Sequence, residues 1–240
     1  MDKSLRGRFL WPDSGRSCII KAVISWGAIA MTRCRWADPR SEIYIAYHDQ
    51  EWGRPEHDDR KLFEMLILEG FQAGLSWLTI LKKREAFRAA FDNFDPGLVA
   101  QYGPEKVESL MADAGIVRNR SKILAAIQNA TVFLAIQEDF GSFDRYLWGF
   151  TGGKVILNTD DSFPTHTELS DQISKDLKRR GMKFVGTTII YSFLQAVGVV
   201  NDHELACFCH PGHSVSLSAR TIPAMMNSTQ GMATLLPSAL

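Results

Sequence analysis

Leu177-Lys178-Arg179-Arg180-Gly181-Met182-Lys183-Phe184-Val185-Gly186-Thr187-Thr188 is the stretch whose reading decides the fold. Upstream, Ser170 can cap a helix that Gly181 ends; downstream, Gly186 opens another that runs to about Val197. Two helices joined by a turn bounded by glycines bring backbone N–H groups to the surface at a helix N-terminus. Such a turn can cradle a phosphate, and Lys183 with Lys178, Arg179 and Arg180 adds positive charge. Gly181, Lys183 and Gly186 are therefore candidate DNA-binding residues. A plain helical hairpin with a solvated basic rim would carry the same residues.

Working outward, helical periodicity continues. Asp58 or Asp59 can cap a helix with Leu62, Phe63, Leu66 and Ile67 on one face. After a break at Gly70 to Gly74, a second helix carries Trp77, Ile80, Leu81, Phe87 and Phe91. Pro96 and Pro104 sit at helix starts, where a missing N–H costs nothing. Gly115 ends a short helix, and Ser121 opens a long one through Ile123, Ile127, Phe133 and Ile136. Around Gly152-Gly153 and Pro164 the chain reads as loop, with weak strand character from Lys154 to Leu157, and a last helix is expected to carry His203 and Cys207. The fold class predicted is an all-α globule of roughly seven to nine helices.

With 240 residues, 45% of them hydrophobic, the chain can bury a sizeable core. Lys and Arg number 27 against 27 Asp and Glu, which on its face argues against a nucleic-acid binder. Basic residues cluster, however, at Lys82-Lys83-Arg84, at Arg118, Arg120 and Lys122, and again at Lys175 to Lys183, so a neutral total can hide a basic face. No stretch reaches the roughly 18 apolar residues that a membrane-crossing helix needs. Residues 1–30 read as an N-terminal extension with Met31 as the functional start, 31–213 as the folded domain, and 214–240, rich in Ser, Thr, Met and Ala, as a disordered tail.

Four cysteines, Cys18, Cys34, Cys207 and Cys209, are too few for a disulfide framework and point to metal ligation in a reducing cytosol. Two Cys/His pairs stand out: Cys34 with His48, and His203 with Cys207. Residues four apart on a helix share a face, and two thiolates with two imidazoles suit tetrahedral Zn2+. Four protein ligands leave no open position, so one such ion per chain would be structural and would tie the two ends together. Pairs this far apart in sequence also occur without a metal.

Glu69, in Met65-Leu66-Ile67-Leu68-Glu69-Gly70-Phe71, is costly to bury unless paired or used, and could accept from the amino edge of a purine. Tyr47 beside His48 and Trp77 beyond Gly74-Leu75-Ser76 could stack on a planar base, with Tyr44 nearby. Leu75, on a glycine-flanked turn, could wedge into a duplex. A solvent-facing Glu69 and core burial of the apolar residues are the competing readings.

Three motifs, Tyr-Ile-Ala-Tyr-His-Asp-x-Glu-Trp-Gly from Tyr44, Leu-Glu-Gly-x-Gln-Ala-Gly-Leu-Ser-Trp from Leu68, and Lys-Phe-Val-Gly-Thr-Thr from Lys183 followed by Val-Asn-Asp-His, resemble the DNA-3-methyladenine glycosylase I family over residues 31–213. The resemblance implies a zinc-containing enzyme of the helix–hairpin–helix glycosylase superfamily that removes 3-methyladenine from alkylated double-stranded DNA. By motif, Cys34, His48, His203 and Cys207 would be zinc ligands and Glu69 the catalytic contact to the base. Tyr47, Trp77 and Tyr44 would form the pocket, and Leu75 would fill the gap left by the extruded nucleotide. The Cys34–His48 spacing is one residue longer than the family's pattern, with Pro39-Arg40-Ser41 available to absorb it.

Many superfamily relatives place an Asp in a Val-Asp-x-His context; this chain has the amide Asn201 there. A base made cationic by N3-methylation leaves without strong acid help, so the selectivity is expected in the pocket. No lysine is obviously placed for a Schiff base, which predicts a monofunctional glycosylase, a cytoplasmic monomer with no membrane partner. A non-catalytic DNA-binding module, and a zinc hydrolase using Glu51 or Glu69 as base, are the rival readings.

Overall fold

Short polar side chains mark where the helices begin. The structure is a computed structural model that describes residues 31–213; the readings of 1–30, of Cys18 and of 214–240 lie outside the described residues. Helix α1 (Glu42–Gln50) leads to α2 (Asp59–Gln72), where Asp58 Oδ1 accepts from Lys61 N at 3.0 Å. Asp59, the other expected cap, instead accepts from Phe143 N and Asp144 N at 2.8 Å each, at the start of α7 (Phe143–Gly149). Ser76 caps α3 (Trp77–Ala90), and Pro96 and Pro104 open α4 (Pro96–Val99) and α5 (Pro104–Ala112). The latter ends at Ala112 rather than at Gly115.

The long helix α6 (Arg120–Phe140) is capped by Asn119, not Ser121, because the Asn119 carboxamide reaches Lys122 N at 3.1 Å. In α8 (Glu168–Arg180) the N-cap is Thr167, and Ser170 completes the capping box from the third helical position. Gly181, at φ +106°, closes α8, and Gly186 begins α9 (Thr187–Ala196), as expected.

Helix α2 is the hub: every residue from Leu62 to Phe71 is buried, with α6 and α9 packed against it. Phe63 meets Phe133 edge-on at 5.0 Å between centroids, and Phe133 stacks on Phe143 at 4.2 Å. Gly70 does not break the helix, contrary to the expectation. A Cβ there would lie 3.5 Å from Phe184 Cβ, at ordinary van der Waals contact with the hairpin.

The second correction concerns the expected last helix. Gly198, at φ +71°, turns the chain so closely past Arg54 that a Cβ would stand 2.2 Å from its carbonyl carbon. Beyond it β2 (Val200–Asn201) pairs in parallel with β1 (Ile156–Leu157), within the segment given strand character. His203 and Cys207 then fall in turns, with Cys207 N bonded to Glu204 O at 2.7 Å. Nine α-helices, a short 3-10 helix at Asp92–Phe94 and this two-stranded ladder are the regular elements among the described residues, an essentially all-α architecture. None of these helices is long and apolar enough to cross a membrane.

Candidate active site and metal centre

A cavity of about 370 Å³ opens where α1, α2, α3 and α9 converge. Tyr44 and Tyr47 enter it from α1, Glu69 and Gln72 from α2, and Trp77 from the first turn of α3. Ser192 and Gln195 come from α9. Glu69 is only 4% exposed, yet no group of the described residues donates a hydrogen bond to it. Burial alone pushes its carboxyl up to about 8. Glu64, one and a half turns earlier and 6% exposed, makes the contrast: Arg84 Nε at 2.5 Å and Arg88 at 2.9 Å neutralise it. One buried carboxylate on α2 is paired and the other is left open to a cavity. The solvent-facing reading of Glu69 does not hold.

The cavity walls are aromatic. Tyr47 lies 5.5 Å from Trp77, centroid to centroid, and the buried Trp77 Nε1 has no hydrogen-bond partner among the described residues. Tyr44 Oη accepts from Leu78 N at 3.2 Å, fixing the ring to the start of α3. Sequence reasoning missed three walls: Trp36, Trp52 and Phe163. Trp36 sits edge-on to Trp52 at 5.0 Å and to Tyr44 at 5.6 Å. Its place two residues after Cys34 was a usable signal, by the reasoning that linked Tyr47 to His48. Phe163 comes from the loop between β1 and α8 and carried no comparable mark.

Cys34, His48, His203 and Cys207 are all buried, and one ligand atom of each lies within 4.8 Å of all the others. His48 Nε2 is 3.4 Å from Cys207 Sγ, and His203 Nδ1 is 3.4 Å from Cys34 Sγ and 3.6 Å from Cys207 Sγ. Tetrahedral bonds of the usual zinc lengths place N and S ligands roughly 3.5 Å apart, so the donor set fits a four-coordinate ion. The remaining ring nitrogens are held outside the cluster: His48 Nδ1 meets Asp49 Oδ1 at 2.8 Å, and His203 Nε2 meets the Trp52 carbonyl at 3.1 Å. Arg33 in turn grips Asp49 through Nε and Nη2. Burial lowers both imidazoles, His203 to about 4, which keeps them neutral and able to ligate. The same burial raises the Cys34 thiol; a cation in the cluster would supply the charge its thiolate needs. Between Cys34 and His48, Ser41 N turns back to Asp38 O at 3.0 Å just ahead of α1.

Leu75 projects from the turn after α2, 39% exposed. Gly186 caps α9 without a side-chain bond, leaving the first-turn N–H groups of α9 at the hairpin. Lys183 exposes its side chain, but its backbone N–H and C=O are both taken by Asn129, at 2.8 and 2.9 Å. A cradle at this hairpin therefore excludes the Lys183 amide. Asn201 bonds Gly53 O and accepts from His203 N, while Asp202 accepts from Tyr191 and Gln195; neither lines the cavity. A second, larger cavity of 520 Å³ lies behind Tyr47, but Arg84 and Glu51, which line it, bind each other in bidentate fashion.

The helical scaffold thus presents a glycine-bounded hairpin and a pocket walled by aromatic rings that holds an unpaired, buried carboxylate. The family model for methyladenine glycosylase matches residues 36–210. DNA-3-methyladenine glycosylase 1 of Escherichia coli K12 is 52% identical over 186 residues, 76% of this chain and 99% of that protein. DNA-3-methyladenine glycosylase of Haemophilus influenzae is 46% identical over 181 residues, 74% of this chain and 97% of that protein. Among solved structures, a variant 3-methyladenine DNA glycosylase I in complex with 3-methyladenine superposes with a TM-score of 0.70 at 37% identity, covering 76% of this chain and 97% of its own. The chain belongs to the methyladenine glycosylase family.

Proposed function

We propose that this chain excises 3-methyladenine from alkylated double-stranded DNA by hydrolysing its N-glycosidic bond. The observation that carries the reading is Glu69, buried and unpaired at the floor of a pocket walled by Tyr44, Tyr47 and Trp77. An empty pocket at neutral pH keeps the Glu69 proton, because nothing nearby offsets a negative charge. A cationic base supplies that offset: it favours the carboxylate, which accepts from the exocyclic amino group. The aromatic faces add cation–π attraction, about 2 kcal/mol per well-placed, desolvated ring. An unmodified, neutral adenine gains neither.

Bond cleavage then asks little of the protein. N3-methyladenine departs as a neutral base, its electrons returning to a ring that was already positive, and water takes C1′. Consistent with this, Asn201 and Asp202 are committed to other partners, and among the described residues no acid besides Glu69 lines the pocket. No lysine among the described residues lines it either, which supports a monofunctional enzyme that leaves the abasic site uncut. Leu75 fills the gap left by the extruded nucleotide, and Gly181, Lys183 and Gly186 form the phosphate-binding hairpin.

Cys34, His48, His203 and Cys207 would hold one Zn2+; with all four positions filled by protein, the ion supplies cross-linking and no open site for water. The protein would act as a monomer on cytoplasmic DNA. Incubating the protein with methylating-agent-treated DNA and identifying freed bases by chromatography tests the activity. Release of 3-methyladenine, with intact strands until alkali is added, is expected. No release by folded, metal-loaded protein would leave a non-catalytic DNA binder.

A further inference from the structure

Two side chains on α6 reach the two loops assigned above to DNA, and neither lines the base pocket. Lys122 is 8% exposed, and its Nζ donates to Phe71 O at 2.8 Å and Ala73 O at 2.6 Å. These carbonyls belong to the last turn of α2 and the residue just past it, where the helix has no basic residue of its own. The ammonium therefore caps the end of α2 and anchors the turn that carries Leu75. Asn129, 4% exposed, pairs with both backbone groups of Lys183 at the hairpin. Between the loops, Phe184 sits over Gly70 with the Lys122 ammonium 6.0 Å from its ring, and adopts φ +53° to do so.

Positions 122 and 129 are two helical turns apart and share one face of α6, a separation of roughly 10 Å along the axis. We propose that Lys122 and Asn129 are positioning residues for DNA: from one face of α6 they hold the Leu75 turn and the Lys183 hairpin at a fixed spacing, so that wedge and phosphate contacts engage one duplex together. This rests on the assignment of Leu75 and the hairpin to DNA made above. The two carbonyls are the partners that hold the buried Lys122 ammonium in place.

The test compares Lys122→Met, Lys122→Arg and Asn129→Asp with wild type in two assays: steady-state excision from alkylated duplex, and binding of free 3-methyladenine read by tryptophan fluorescence. Free-base binding reports an intact pocket and should not change. KM for duplex should rise about tenfold or more in Lys122→Met, with Lys122→Arg recovering most of it, since a guanidinium also offers paired donors. Asn129→Asp keeps its acceptor for Lys183 N but loses the donor to Lys183 O, and should raise KM as well. On the Lys122→Met background, Leu75→Ala should add little, because a turn no longer aimed at the duplex has no wedge to lose. Unchanged KM in both Lys122→Met and Asn129→Asp, with Leu75→Ala alone still impaired, would overturn the inference. Loss of free-base binding in parallel with KM would also overturn it, showing a general structural role. If Leu75→Ala alone had no effect on duplex, the wedge assignment itself would fall, and the inference with it.

Discussion

Glu69 and Glu64 show how much one residue's surroundings decide. They share a helix, a charge and nearly complete burial, but only Glu64 has arginines against it. An isolated buried carboxylate destabilises the fold wherever it must ionise. With its folded value near 8 and an ordinary value of 4.5, Glu69 keeps a proton that the unfolded chain has already lost between those limits. Stability should therefore fall as pH rises from 4.5 to about 8, then level off. Glu69→Gln removes this effect. In metal-loaded protein without DNA, the variant should melt close to wild type at pH 5 and higher than wild type at pH 8, the gap amounting to a few kcal/mol at the order-of-magnitude level. Equal melting at pH 8 would mean that the carboxylate is compensated by a group not identified above. From the sequence, Glu69 was legible as a cost without a visible partner, and Tyr47 and Trp77 as rings near it. Phe163 was not, since nothing local in the chain says that the β1–α8 loop folds over a pocket formed by α1, α2, α3 and α9.

At the scale of elements, the hairpin was the most readable part, because glycine at a helix C-cap has a narrow physical meaning. Gly181 and Gly186 bound the turn as expected. The segment after α9 was misread for an equally physical reason. A four-residue His–Cys spacing fits one helix face, and it also fits a chain wrapped about an ion. Gly198 and the β1–β2 ladder send the chain the second way. A metal ligand depends on outer contacts for its orientation, and for His48, on α1, that contact is Asp49, itself fixed by Arg33. Asp49→Ala should thus lose metal to a chromophoric chelator at concentrations roughly tenfold or more below those wild type requires. Unchanged retention would show that packing alone, with Trp36 and Trp52 around the ring, orients His48.

Across the whole molecule, the cluster joins residues 169 apart in sequence, Cys34 and His203. The unfolded chain holds no preformed site that joins such distant residues, so the free energy of binding an ion there would add to the stability of the folded state. Stripping the metal should lower the melting temperature by several degrees or more, with zinc restoring it; a melting curve indifferent to chelator would refute a resident ion. The same cluster backs the base pocket, since Trp52 offers its carbonyl to His203 and its ring to the cavity. Pocket, metal centre and hairpin are thus three outputs of one helical core built on α2. The measurement that goes most directly to the centre of this is the single-turnover rate of 3-methyladenine release from methylated duplex by wild type and Glu69→Gln, at saturating protein. A rate for the variant lower by about a hundredfold or more, with duplex binding intact, is expected if the unpaired carboxylate is what the pocket is built around. Equal rates would contradict it and return Glu69 to the role of an unexplained buried acid.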